Sequence, residues 1–550
     1  MEAIVDVLKQ FQLQANGTSV SVSLFVVFIA LLYWYSVHPY SALARIGIKH
    51  PKTAPFFGNL FLFRQGFWDA HRELINKYGR VCGYYLGRRP IIVISEPDMI
   101  KQILVKDFNN FPNRMHLGMS TKPVSDSILF LRDERWKRVR SVLTPTFSAT
   151  KMKEMVPLIN TAADTLAENL EVFANSGQGF DIHRCFGCFT MDVIASVGFG
   201  TQVDSQKDAD DPFVRHAKSF FSFSFFRPVV LLFIVFPFLI SPLIRIVPNK
   251  RRDELNSFFV SCIRNMIKHR EEQPPGERRR DFLQLMLDMR STKECVSLEH
   301  FDVVNQANVA APAGPSQSEE PAKKSQKRIL TEDEVIGQAF IFLLAGYETT
   351  SNTLAFACYL LAINPECQEK LINEVEDFYI RHDAPDYNNV QELLYLDMVI
   401  SETLRMYPPG FRFARDAARD CTVNGQFIPA GSTVEIPAGY IHYDPEFWPD
   451  PEKFIPERFT TEAKAKRHPF VYLPFGAGPR SCVGMRLALL EIKIAMIRVF
   501  QKFCFETCPE TEIPVELKSN STLGPKNGIM VKILQRQPAA GEMTSNGKNV

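Results

Sequence analysis

The stretch "FGAGPRSCVG", residues 475–484, sets one cysteine, Cys482, at the end of a glycine-rich turn, and the apolar run "MRLALLEIKIAMIRVFQKF" follows at once. A cysteine used only for packing belongs inside an element, where it behaves as a small hydrophobe. Held instead where backbone N–H groups and the positive end of a helix converge, a cysteine is placed to favour its thiolate. These residues alone leave two chemical readings open, a metal ligand and a nucleophile.

Upstream, Thr331 opens a long periodic segment with "TEDE", a capping box in which Glu334 stands three residues on. The segment runs to Asn364-Pro365, so the spacing predicts a helix of about 32 residues, long enough at 1.5 Å per residue to cross a whole domain. In its middle, "AGYETT" sets Ala345 and Gly346 one turn before Thr349 and Thr350. Small residues there would let a flat ligand approach the backbone, with a threonine hydroxyl facing the same space. Taken alone, the same pattern also describes ordinary helix packing.

Other pairs are weak singly. Glu402 and Arg405 in "SETLRMYPP" share a helix face within an apolar stretch, which calls for a further partner, and Arg458 in "PERF" supplies one. Trp136 and Arg140 in "RWKRVR" stand four apart and can together face an acidic ligand group. Cys185 and Cys188 have CxxC spacing beside His183, but no second pair completes a zinc site, so they read as packing.

Residues 20–37, "VSVSLFVVFIALLYWYSV", carry no charge and match a thin bilayer in length. Tyr33, Trp34 and Tyr35 lie near one end, and Arg45, Lys49 and Lys52 follow. The expected layout is a short lumenal N-terminus (1–17), a retained transmembrane anchor (18–38), a proline-containing connector (39–55) and a cytosolic catalytic body (56–536), on the endoplasmic reticulum membrane. Residues 305–328 read as a flexible insertion and 537–550 as a disordered tail. Residues 219–247 are strongly apolar but broken by Pro228, Pro237 and Pro242. They are too interrupted to span, and both a buried and an interfacial placement fit them.

Among the 550 residues, 63 basic and 61 acidic side chains give a net charge of +2, which offers nucleic acid no basic surface. Eleven scattered cysteines do not form a secreted disulfide framework. The 45 phenylalanines point to a large apolar interior suited to a lipophilic ligand. "YLGRRPIIVIS" (85–95) reads as two short strands, and "CTVNGQFIPAGSTVEIP" (421–437) contains an Asn-Gly hairpin. The fold class is therefore mainly α with small β-sheets.

In this order the motifs resemble those of the cytochrome P-450 haem-thiolate enzymes, over roughly residues 50–536. "FGAGPRSCVG" fits that family's cysteine loop, "ETLR" and "PERF" its Glu-Arg-Arg triad, and "AGYETT" its distal-helix motif. The resemblance implies haem b held between a long distal helix and the helix after the cysteine loop, with Cys482 as axial thiolate and metal ligand. Trp136, Arg140 and Arg480 would bind the haem propionates, with Arg114 and Arg415 as further partners and Phe475 beside the cofactor. Within the family, "RQGFWD", "CGYYLGRRPIIVISEPDMIKQ", "ILFLRDERW", "PNKRRDELN", "RRRDFLQ" and "LGPKNG" are similar to a branch that isomerises prostaglandin endoperoxides. That likeness implies an isomerase needing no reductase, probably not the family's usual oxygenase, with Asn113 as a contact to a substrate oxygen.

One departure stands out. Members of that branch carry aliphatic residues where this chain has Thr349 and Thr350, and Thr349 occupies the position monooxygenases use to relay protons. A monooxygenase of lipophilic molecules fed by cytochrome P-450 reductase is accordingly the alternative expectation, and a non-catalytic haem sensor is a third. The body is expected to be monomeric.

Overall fold

The computed structural model describes residues 17–536, apart from 117, 209, 222–225, 244–248, 275, 280 and 292–329. The expected lumenal N-terminus up to residue 16, the 305–328 insertion and the 537–550 tail lie outside the described residues.

Helices of eight residues or more carry the chain. They are α1 (Gly17–Val37), α2 (Phe67–Tyr78), α3 (Asp133–Leu143), α4 (Ala149–Ser176), α5 (Ile182–Phe199), α6 (Pro212–Phe221), α7 (Pro228–Val235) and α8 (Lys250–Glu272). There follow α9 (Phe282–Ser291), α10 (Glu332–Ile363), α11 (Pro365–Arg381), α12 (Leu394–Met406) and α13 (Met485–Lys502). A four-stranded sheet stands to one side, with strands β1 (Val81–Leu86), β2 (Arg89–Ile94), β4 (Phe413–Asp416) and β7 (Thr433–Ile436) in the order β1-β2-β7-β4. Between the last two, β5 (Cys421–Val423) and β6 (Gln426–Ile428) form the expected hairpin, Asn424 and Gly425 both taking positive φ at its turn. Strand β3 (Phe180–Asp181), with β8 (Phe503–Glu506) and β11 (Met530–Gln535), makes a second sheet, and β9 (Leu517–Lys518) pairs with β10 (Gly524–Pro525).

Helix α10 spans 32 residues and begins at the Thr331 capping box, both reciprocal hydrogen bonds being present. It is buried almost throughout because α5 lies against it at very short range. A Cβ on Gly346 would come 2.4 Å from the Ile194 side chain, and one on Gly198 would come 2.7 Å from Phe342. Thr190 Oγ1 donates to the Tyr347 carbonyl at 3.0 Å, satisfying a hydroxyl in this dry interface. The Gly346 position therefore serves helix packing against α5, so only Ala345 of the expected small pair is open.

Helix α1 is apolar and exposed along its length, and residues 20–45 are long and apolar enough to cross a membrane. Its end is fastened to the body. Tyr35 Oη donates to the Val235 carbonyl at 3.1 Å, the Arg88 guanidinium lies 3.5 Å from the Tyr35 ring centroid, and Tyr35 stacks on Phe236. The prolines break the 219–247 segment as expected, into α7 and shorter turns, and Val229, Leu232 and Phe238 are exposed there, as are Phe61 and Leu62.

Candidate functional site

The 475–484 loop folds back on itself. Ser481 N–H donates to Gly478 O and Cys482 N–H to Phe475 O, both at 2.9 Å. Gly478 takes φ +70°, and a Cβ there would come 2.0 Å from the Leu104 carbonyl oxygen, so no other residue fits. Cys482 is accessible on one side while otherwise enclosed by protein. Burial pushes its thiol up; N–H groups of Gly484 and Met485 and the charges of Arg140 and Arg114 pull the other way. The sequence argument foresaw the stabilising groups but not burial, which is the larger influence.

Around this loop stand four guanidinium groups. Arg140, on α3, donates to Ser481 O at 2.9 Å. Arg480 lies 4.1 Å from the Trp136 ring centroid and donates to the carbonyls of Pro112 at 2.7 Å and Leu131 at 3.0 Å. Arg114 reaches Arg480 O at 3.4 Å, and Arg415, on β4, reaches the neighbouring Ala414 O at 2.9 Å. Burial lowers all four, Arg140 to about 10 and Arg480 to about 9. Arg114 Nε, Arg415 Nε and Arg480 Nη1 are buried donors without a partner. The neighbouring carboxylate Asp416 is already engaged, by Arg89 at 2.9 Å and Arg132 at 3.2 Å. Desolvated cations with spare donors are chemically matched to acidic groups of a bound molecule.

Asn113 is placed differently from a substrate contact. Its Nδ2 donates to Asp133 Oδ1 at 2.7 Å, while its Oδ1 accepts from Asp133 N–H at 2.9 Å and from Arg480 at 3.2 Å. The amide thus brackets the start of α3 against Arg480, and its hydrogen-bonding capacity is spent there.

Loop and long helix are joined through aromatic rings. Phe147 lies 3.8 Å from where a Gly484 Cβ would stand and 6.0 Å, ring to ring, from Phe342 on α10. One turn further along α10, Ala345 is exposed although its neighbours on the helix are buried, and Thr349 shares its face. Thr349 Oγ1 donates back to Ala345 O at 2.7 Å. Thr350 is buried and faces elsewhere.

Behind the loop, Glu402 and Arg405 form a bidentate pair at 2.7 and 2.9 Å, both fully buried, and Arg458 Nε stands 3.2 Å from Glu402. Ile455 N–H adds a hydrogen bond to Glu402 at 3.0 Å, and Arg405 donates to His442 O at 2.9 Å. Sequence reasoning missed His442. Burial and Arg405 push its imidazole down to about 3, so it is neutral. Its Nε2 accepts from Leu473 N–H at 2.8 Å, which leaves Nδ1–H to donate to Arg405 O at 3.1 Å. Leu473 O in turn accepts from Gly476 N–H, so one imidazole ties the buried ion cluster to the cysteine loop.

A geometry of one recessed cysteine, a cationic rim and an open alanine on a crossing helix fits a flat, dicarboxylated metal macrocycle. Comparison with known proteins agrees. The family model for cytochrome P450 matches residues 48–315 and 316–533. Thromboxane-A synthase of Sus scrofa is 55% identical over 536 residues, covering 97% of this chain and all of that protein, and the enzyme of the same name from Mus musculus is 52% identical over 533 residues, with 97% and 100% covered. Cytochrome P450 3A9 of Rattus norvegicus is 38% identical over 519 residues, with 93% and 96% covered.

Proposed function

The chain belongs to the cytochrome P450 family, and from that premise we propose that it is a haem-thiolate isomerase converting a prostaglandin endoperoxide to thromboxane A, with hydroxy fatty acid and malondialdehyde as side products. The observation that carries this reading is the 52–55% identity to thromboxane-A synthases over 97% of the chain. Family membership implies a haem iron; we assign it as haem b. When bound, that group supplies a thiolate-backed iron able to cleave an O–O bond the substrate already contains.

Everything else falls to the chain's own residues. Cys482 holds the metal, and Arg114, Arg140, Arg415 and Arg480 with Trp136 neutralise and orient the propionates, which fixes the cofactor's tilt. Phe475 closes the loop beneath it. Asn113 acts through Arg480. Ala345 leaves room on the distal side, and the phenylalanine-rich walls exclude water that would trap a reactive intermediate. An isomerisation needs no proton delivered from outside, which matches a Thr349 hydroxyl already committed to its own helix. The protein works without a reductase, as a monomer anchored in the endoplasmic reticulum membrane with its body in the cytosol, and takes its substrate from the lipid phase.

The test is an incubation of haem-loaded protein with prostaglandin endoperoxide in the absence of NADPH and reductase. Thromboxane forms, Cys482→Ser abolishes it, and Thr349→Val leaves its rate unchanged. The presence of a hydroxyl at Thr349 favours the second reading, a reductase-dependent monooxygenase. That reading takes over if no thromboxane appears and NADPH-driven oxidation is lost in Thr349→Val.

A further inference from the structure

Glu348, the residue before Thr349, is buried and points away from the Ala345 face. Burial pushes its carboxyl up, against the pull of Lys518 and Thr522. Thr522 Oγ1 donates to Glu348 Oε1 at 2.6 Å, and Lys518 Nζ stands 3.4 Å from the same oxygen. One turn on, Asn352 Nδ2 donates to the Leu523 carbonyl at 2.9 Å, and a Cβ on Gly524 would come 2.7 Å from that amide nitrogen. These partners belong to the β9–β10 hairpin, residues 517–525.

The hairpin's other attachments lead back to the site. Leu523 N–H donates to Pro409 O at 3.0 Å, and Arg412 donates to Asn520 O at 3.3 Å. Residues 409–412 run directly into β4, which carries Arg415. On its remaining side, Ser519 accepts from the N–H groups of Phe67 and Trp68 at the start of α2, each at 3.2 Å. The hairpin therefore bridges the distal helix and the strand bearing a cation of the rim, and Glu348 is its single charged hold on α10.

We propose that Glu348 is a positioning residue, a strut that fixes the 517–525 hairpin as one wall of the reaction space and so steers the endoperoxide toward ring closure over fragmentation. This deepens the function proposed above and rests on it. A proton donor would need a carboxyl facing the reacting atoms; a strut needs only an acceptor facing Thr522. The two roles separate on Glu348→Gln, which keeps the acceptor and removes the acid.

The experiment combines amide hydrogen exchange of the haem-loaded protein with product analysis. In Glu348→Leu and in Thr522→Val, amides of residues 519–524 exchange about tenfold faster, the loss expected for a buried hydrogen bond to a charged group. The double variant exchanges no faster than either single one, because both remove the same contact. Glu348→Gln stays close to the parent. Haem content and the Soret band are unchanged, while the balance of products moves several-fold toward hydroxy fatty acid in the first two variants and not in the third. Unchanged exchange in Thr522→Val, or additive effects in the double variant, overturns the strut. Faster exchange with an unchanged product balance overturns its steering role. Absence of any thromboxane from the parent protein without NADPH is a failure of the proposed function, and the exchange data still decide the strut.

Discussion

Two groups of buried arginines lie close to the cysteine loop and do opposite work. In the Glu402 cluster, charge is answered from within: Arg405 is bidentate to Glu402, and backbone groups of His442, Lys453 and Ile455 complete the set. In the rim, Arg114, Arg140, Arg415 and Arg480 find mostly backbone carbonyls, and three of the four keep a buried donor with no partner. Removing charges from water costs several kcal/mol each unless they are compensated. A chain that meets that cost inside its own fold is building structure; one that leaves it outstanding on four adjacent side chains is building a receptor. The contrast assigns the roles that residue type alone cannot.

The comparison predicts unequal consequences. Glu402→Ala leaves two guanidiniums buried without a counter-charge, and should cost about 3–5 kcal/mol in chemical denaturation, enough to abolish folded protein at growth temperature. If it is tolerated, the internal-compensation argument fails. Glu435 on β7 sharpens the same point. It is fully buried, and although burial alone would raise its carboxyl, His71 at 2.5 Å and Arg412 at 2.9 Å hold it at about 2 against an ordinary 4.5. The unfolded chain binds this proton more readily, so stability from the site is complete above about pH 4.5 and is lost as pH falls toward 2. The amount is of the order of 3 kcal/mol, and Glu435→Gln should remove that acid-sensitive component from a pH series of denaturation midpoints.

Arg415→Met should behave in the opposite sense to Glu402→Ala. Its denaturation midpoint stays near the parent value, while haem affinity falls about tenfold, read by transfer of haem to a competing apoprotein. Should Arg415→Met instead unfold as readily as Glu402→Ala, the two clusters are not distinct. The smallest effect belongs to Gly346→Ala. The new methyl meets the end of the Ile194 side chain at 2.4 Å, a neighbour able to move, and costs about 1 kcal/mol in thermal unfolding with no change in the Soret band. A large spectral change there would return Gly346 to the cofactor side.

Elements specified by neighbouring residues were legible in the sequence. The Thr331 capping box, the Asn424-Gly425 turn, the proline breaks after residue 227 and the cysteine loop all depend on groups a few positions apart, and each is found where the pattern placed it. What could not be read depends on partners far along the chain. Asn113 has the look of a turn residue in "FPNRM" until Arg480, 367 positions later, takes its carbonyl oxygen. Lone His442 in "GYIHYDP" carries no motif that announces a hinge between Arg405 and Leu473. Gly346 and Ala345 are equally small, and only the placement of α5 tells which one packs and which stays open. Glu348 reads as part of a distal-helix motif because its true partner sits 174 residues away.

That last separation has a consequence for how the protein comes into being. Helix α10 receives α3 through Glu334 and Arg138, 196 positions apart, α5 through Thr190 and Tyr347, 157 apart, and the closing hairpin through Asn352 and Leu523, 171 apart. On a growing chain, every segment made before residue 332 must wait with its apolar face uncovered for its central partner, and the wall held by Glu348 cannot be set until synthesis is nearly finished. Such a chain folds late and by long-range closure. Its anchor emerges first, so the waiting intermediates are gathered at the membrane surface throughout translation.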